Sequence, residues 1–107
     1  MNREEIQSMR RSYSERELNL PENPITAFKG WLKEAAELPA IVEANAMVLS
    51  TLGASGSIES RTVLLKDASD LGFTFSTNYN SRKAQAIEIN AQVSLLFPWY
   101  PRERQVI

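Results

Sequence analysis

Apolar residues recur at two different periods along this 107-residue chain, and the change of period divides it. Residues 2–17 are polar and charged, with Ile6, Met9 and Tyr13 alone at helical spacing. That thin stripe predicts a short helix or a mobile arm, and Leu18 to Glu22 reads as a linker, so residues 1–22 form one unit of the expected organisation. Asn23-Pro24 predicts a helix start, with Asn as N-cap and Pro in the first helical position. Ile25, Phe28, Trp31, Leu32, Ala35 and Leu38 supply the apolar stripe of a helix over 24–38, which Pro39 ends. Gly30 lies inside it and costs about 1 kcal/mol relative to Ala.

Further on the period shortens. Ala46 to Leu52 predicts a strand, Gly53 to Ser57 a turn, and Ile58 to Lys66 a second strand with a buried Val63-Leu64-Leu65 run. Asp67 to Gly72 reads as the next turn, Phe73 to Thr77 as a third strand and Ala84 to Asn90 as the body of a helix opened by Ser81. Val93 to Trp99 predicts a fourth strand, broken by Pro98 in a way that suits an edge or a bulge. Arg104 to Ile107 resembles the start of a fifth. Hairpin-like strands with one inserted helix favour an antiparallel sheet or small barrel, mainly β with flanking helices, an α+β arrangement. The chain stops on Gln105-Val106-Ile107, in what reads as mid-strand. The expectation is a truncated chain, or an edge covered by a second subunit.

Composition narrows the chemistry. The formal net charge of -1 provides no overall basic field for nucleic acid or anionic lipid. With no Cys and no His, disulfides, thiolate or imidazole metal sites, and Ser-His-Asp or Cys-His catalysis are all excluded. Redox chemistry would therefore have to come from a bound organic cofactor. No apolar run reaches the roughly 20 residues of a membrane span, and the first residues lack the apolar core of a signal peptide. A cytoplasmic protein is the expectation.

One local pattern points to an anion. Asn80-Ser81-Arg82-Lys83 puts two cations at the start of the expected helix over 81–90, where the helix dipole and free N–H groups favour negative charge instead. A phosphate would take the free amides, the Ser81 hydroxyl and both cations together. Solvated surface cations are the plainer alternative. Arg61 and Lys66 flank Thr62-Val63-Leu64-Leu65 at a spacing of five, which in a regular strand sends them to opposite faces. They share a ligand only if the strand twists or bulges, or if the ligand reaches around its end. Ser76 and Thr77 carry hydroxyls that would add to an anion site. Gln105 would hydrogen-bond a heteroaromatic ring edge, or simply face solvent. Trp99 and Tyr100 read as core or interface packing before a stacking surface, and Arg10-Arg11-Ser12-Tyr13 as a solvated arm or a cap over an anionic ligand.

Taken in order, Arg61-Thr62-Val63-Leu64-Leu65-Lys66, Phe75-Ser76-Thr77-Asn78, Ser81-Arg82-Lys83, Val93 to Trp99 and Glu103-Arg104-Gln105-Val106 resemble the pyridoxamine 5'-phosphate oxidase family. Asn23-Pro24 with Phe28 and Trp31 resembles its leading helix, and Arg10-Arg11-Ser12-Tyr13 its N-terminal substrate arm. The resemblance implies an FMN-binding split β-barrel, incomplete here at the C-terminus, with residues 23–107 as its N-terminal part. It implies a homodimer with FMN at the interface, and oxidation of pyridoxamine or pyridoxine 5'-phosphate to pyridoxal 5'-phosphate with oxygen as acceptor. Arg61, Arg82 and Lys83 would then hold FMN, mainly its phosphate. Thr62 to Lys66, Ser76, Thr77, Ser81 and Gln105 would complete the cofactor contacts. Lys66 would also face the substrate, over which Arg10, Arg11, Ser12 and Tyr13 would close. Neither a catalytic residue nor a metal ligand is assigned. Family members extend well beyond this length, into further strands, residues gripping the substrate phosphate and an Arg-x-His pair. A short, non-catalytic FMN-binding protein is the alternative expectation.

Overall fold

The computed structural model describes residues 1–14, 17, 18, 20–76 and 91–107. Two helices precede a four-stranded antiparallel sheet: α1 (Arg3–Ser8), α2 (Pro24–Glu37), β1 (Ala46–Leu52), β2 (Ile58–Ser69), β3 (Gly72–Phe75) and β4 (Val93–Leu96), followed by a 3-10 turn at Tyr100–Arg102. The spatial order is β3-β2-β1-β4. The helix expected over 81–90 lies outside the described residues.

Capping fixes both helix starts. The Asn2 side chain accepts from the Glu5 amide and the Glu5 carboxylate accepts from the Asn2 amide, a reciprocal box that offsets the shortness of α1. The stripe of Ile6, Met9 and Tyr13 stays exposed, and α1 buries no residue. Asn23 caps α2 by accepting from the Ile25 and Thr26 amides, and its Nδ2 donates to Asp70 in the β2–β3 turn. The helix entrance is thereby tied to the far end of the hairpin. Ala27, Phe28 and Ala35 of α2 are buried, and Trp31 and Leu32 pack half-buried against the same core.

The β1–β2 hairpin turns through Gly53–Ser57, where the Gly53 amide donates to the Ser57 carbonyl and Gly56 adopts φ +81. A side chain at 56 would be strained by that dihedral alone. On β1, Met47, Leu49 and Thr51 face the core. Their partners across the ladder are Val63, Arg61 and Glu59. β2 runs three residues past the strand expected to end at Lys66, through the segment read as a turn. Its pairing with β3 slips between Leu65 and Asp67, so that Lys66 is the extra residue of a β-bulge. The bulge also shifts the burial phase: Val63 and Leu65 are buried before it, and Ala68 after it. Cross-strand pairing with Phe73 and Thr74 holds Asp67 and Ala68 extended, which overrides the local turn preference.

β4 stops at Leu96, before Pro98, whose nitrogen has no hydrogen to donate, where a strand through Trp99 was expected. The expected fifth strand is reduced to a single antiparallel bridge between Phe97 and Val106. Between them the chain makes the 3-10 turn and leaves it through Glu103 at φ 56, in the left-handed region.

Phe73 and Phe97 sit at opposite edges of the sheet, yet their ring centroids are 6.2 Å apart. Three strand spacings in a flat sheet would separate their backbones by about 14 Å. The sheet is therefore curled, and Phe28 of α2 fills its concave side, 4.7 Å from Phe73, 4.9 Å from Phe97 and 5.9 Å from Trp99. Trp99 is buried, and its indole N–H donates to the Ala44 carbonyl at 2.9 Å. Trp99→Phe removes that donor and leaves the carbonyl buried without it. The expected loss is about 1–3 kcal/mol of unfolding free energy, read from urea denaturation. A change within error would show that the bond contributes nothing.

Candidate functional site

The apolar row on the concave side of the hairpin becomes polar toward the Gly53–Ser57 turn. Arg61 stands opposite Leu49, and its guanidinium lies diagonally over Thr51. Its Nη1 donates to Thr51 Oγ1 at 2.8 Å and more weakly to the Leu49 carbonyl at 3.4 Å. Its Nη2 is 3.6 Å from a Glu59 carboxylate oxygen. A cation is thus fixed on the face of a strand by two neutral acceptors and one screened ion pair.

Lys66 is exposed at the bulge and borders a cleft of ≈ 360 Å³ between α2 and β2, along with Lys29, Leu32, Asn45 and Asp67. The Asn45 side chain donates to the Leu65 carbonyl at 3.0 Å and holds the strand just before the bulge. A bulge, one of the three ways in which Arg61 and Lys66 were expected to reach one ligand, is present at Lys66 itself. None of the partners that engage Arg61 lines the Lys66 cleft. Between the two cations, Val63 and Leu65 are buried in the core, so a contact from them to a ligand would come from the main chain. Thr62 is exposed and Leu64 half-buried on the other face.

A second cleft, of ≈ 480 Å³, joins the two ends of the described chain. Tyr13, Ser14, Glu17 and Leu18 line one side, and Glu103, Arg104 and Gln105 the other. The Ser14 hydroxyl donates to Glu103 at 2.5 Å, pinning the arm to the segment that carries Gln105. That segment is anchored in turn on α2: Arg104 lies 3.0 Å from the Glu34 carboxylate and 5.4 Å from the Trp31 ring centroid, and Arg102 lies 3.5 Å from Glu34. Arg10, Arg11 and Ser12 are exposed, and the Arg11 side chain donates to the neighbouring Arg10 carbonyl. Ser76 is exposed just past β3. Thr77, Ser81, Arg82 and Lys83 lie outside the described residues. Trp99 packs in the core as expected, whereas Tyr100 is exposed. Among the described residues no group of His, Cys, Asp and Glu could hold a metal ion, and no helix is long and apolar enough to cross a membrane.

Thr51, Glu59 and Glu34 were not singled out from the sequence, and Glu103 and Trp31 were quoted within motifs without the contacts they make here. Thr51 had a visible signal, since it is the polar member of the row Met47, Leu49, Thr51. Glu103 had none, because its role depends on where the arm lies.

The fold defines a class: a curled antiparallel sheet with a helix in its concavity, the half-barrel of a split β-barrel, incomplete in this chain. The family model described as pyridoxamine 5'-phosphate oxidase matches residues 32–107, and the chain belongs to that family. It is 47% identical over 106 residues to the pyridoxine/pyridoxamine 5'-phosphate oxidase of Flavobacterium johnsoniae, covering 96% of this chain and 50% of that protein. The protein of the same name from Streptomyces avermitilis is 48% identical over 94 residues, covering 85% of this chain and 42% of the relative. That from Shewanella denitrificans is 44% identical over 105 residues, covering 95% and 49%. The chain spans about half the length of these curated relatives.

The Ser14–Glu103 contact makes a testable demand on the arm. Ser14→Ala should free it and speed trypsin cleavage after Arg10 and Arg11 by about two- to tenfold, the population change expected from one net hydrogen bond. Unaltered cleavage would show that the arm is held by something else.

Proposed function

We propose that this chain binds FMN and takes part in the oxidation of pyridoxamine or pyridoxine 5'-phosphate to pyridoxal 5'-phosphate, with oxygen as acceptor. The observation that carries the reading is the cleft shared by Tyr13 and Ser14 of the arm and Gln105 of the C-terminal segment. It offers an aromatic face, hydroxyls and an amide to a heteroaromatic ring, in walls that include Leu18. The fixed guanidinium of Arg61 and the exposed ammonium of Lys66 suit the anionic parts of such ligands. The donor set therefore fits a flavin phosphate and a substrate phosphate.

In this reading Arg61, Arg82 and Lys83 bind the FMN phosphate with the Ser81 hydroxyl. Thr62, Val63, Leu64, Leu65, Ser76, Thr77 and Gln105 orient the rest of the cofactor, Val63 and Leu65 through their main chain. Lys66 contacts the cofactor and also meets the substrate, and Arg10, Arg11, Ser12 and Tyr13 close over it and exclude water. The chemistry that the flavin supplies when bound is acceptance of two electrons from the substrate and their return to oxygen, giving hydrogen peroxide. A homodimer with FMN between subunits and a cytoplasmic location belong to the same proposal. A second reading is FMN binding by this chain without turnover; the region it shares with the relatives is 50% and 49% of their length.

Fluorescence titration of FMN with the purified chain tests binding, and peroxide release with pyridoxamine 5'-phosphate separates the two readings. Saturable quenching at micromolar or tighter affinity is expected. Arg82→Ala with Lys83→Ala should weaken it by several kcal/mol, because charge-assisted bonds contribute about 1.5–3 kcal/mol each. Equal affinity in the double variant would remove those two residues from the phosphate site.

A further inference from the structure

We infer that Thr51 is a positioning residue for the phosphate cation Arg61. The inference rests on the proposed role of Arg61 in holding the FMN phosphate. Thr51 is the buried polar side chain among the described residues, 2% exposed, in a row otherwise filled by Met47 and Leu49. Valine has nearly the same shape and would fill the position without a polar atom to satisfy. The hydroxyl has a use, however: it accepts from Arg61 Nη1 at 2.8 Å.

The geometry of that bond favours an anion site over a closed ion pair. A guanidinium has five N–H donors in a fixed fork. Thr51 and the Leu49 carbonyl engage Nη1, and both are neutral, so they orient the group without cancelling its charge. Glu59 is the acidic partner on the Nη2 side, at 3.6 Å and with a third of its side chain exposed, and such a pair is weak and easily displaced. With Nη1 engaged, the edge formed by Nε and Nη2 is the one left to grip a phosphate bidentately once Glu59 gives way. Holding Nη1 from the β1 side aims that edge and removes part of the rotamer freedom that a free arginine would lose on binding.

The test compares FMN with riboflavin, which has the same ring system and no phosphate. The affinity ratio of the two ligands reads the phosphate site alone, and general damage to the fold would weaken both. The intact chain should prefer FMN, and Arg61→Ala should abolish Arg61's share of that preference. Thr51→Val should reduce the preference on the order of tenfold, the effect of one bond to a charged group, with riboflavin affinity unchanged. Thr51→Ser, which keeps the hydroxyl, should restore it. If Arg61→Ala lowers the preference and Thr51→Val leaves it intact, the positioning role is overturned while Arg61 keeps its own. If the intact chain shows no preference, or Arg61→Ala retains all of it, the reading of Arg61 fails and the inference falls with it. Should Thr51→Val not fold, Thr51→Ala takes its place. Failure of both to fold would make Thr51 structural and overturn the inference.

Discussion

The aromatic knot of Phe28, Phe73, Phe97 and Trp99 is the constraint on which the rest of the structure depends. Its members come from α2, from the two edges of the sheet and from the segment leaving it. Drawing Phe73 and Phe97 together curls four strands into a half-barrel, and Phe28 then fills the concavity from the helix. Phe28, Phe97 and Trp99 are buried and Phe73 is half-buried; a fully buried ring contributes about 1.5–3 kcal/mol, and pairs in tilted contact add about 0.5–1.5 kcal/mol. The bond from Trp99 to the Ala44 carbonyl locks the outgoing segment against the entry to β1. The 3-10 turn, Arg104 and Gln105 are positioned from that lock, and the cleft shared with the arm follows from it.

The same curl explains where polar groups collect. Inside the half-barrel the row from Met47 to Thr51 and its partners from Val63 to Glu59 run from apolar to charged. The apolar end is sealed by the knot. The polar end opens toward the hairpin turn, where an arginine is tolerated because Thr51, the Leu49 carbonyl and Glu59 satisfy it. The β2 bulge does a comparable service beside α2. It inserts one residue, exposes Lys66 and restores Ala68 to the core, so a cation is presented without interrupting the buried row.

Much of the backbone was legible because it is encoded locally. Asn23-Pro24 announced α2, and the alternation in Ala46–Leu52 gave β1 to the residue. The antiparallel, half-barrel character followed from hairpin spacing and the family resemblance. The failures share one cause. Asp67, Ser69 and Asp70 carry turn chemistry, but pairing with β3 keeps β2 extended through Ser69, and only the last of the three turns. At the other end, Pro98 and Pro101 broke the regular pattern more severely than an edge strand implies: the fourth strand is shortened to Val93–Leu96 and the expected fifth is reduced to one bridge. Of the candidate site, the motif residues were visible as motifs. Their pairings were not, although Thr51 stood out as the polar member of its row, because Thr51–Arg61 is a diagonal across a register and Ser14–Glu103 spans most of the chain. Ser14 and Glu103 share no sequence window, and Thr51 and Arg61, ten residues apart, meet only through the β1–β2 register.

The described groups that suit an anionic, ring-bearing ligand are distributed. Arg61 stands at the polar end of the hairpin, Lys66 beside α2, and Tyr13 with Gln105 in the cleft between the chain's two ends. Each is organised by its own supports, and Arg61 and Lys66 have none in common. Binding and turnover respond differently to such an arrangement. Affinity is graded: every preorganised contact adds its increment whether or not the others are made. Turnover is not, because reacting atoms must be held together at near-contact distance and orientation by all the groups at once. A chain spanning half the length of its relatives can therefore retain a measurable share of ligand affinity on the strength of its own supports. The same chain would lose the rate almost entirely if any part of the constellation came from elsewhere. Under the proposed function, cofactor affinity would report what the half-barrel builds by itself, and turnover would report whether the whole constellation is assembled.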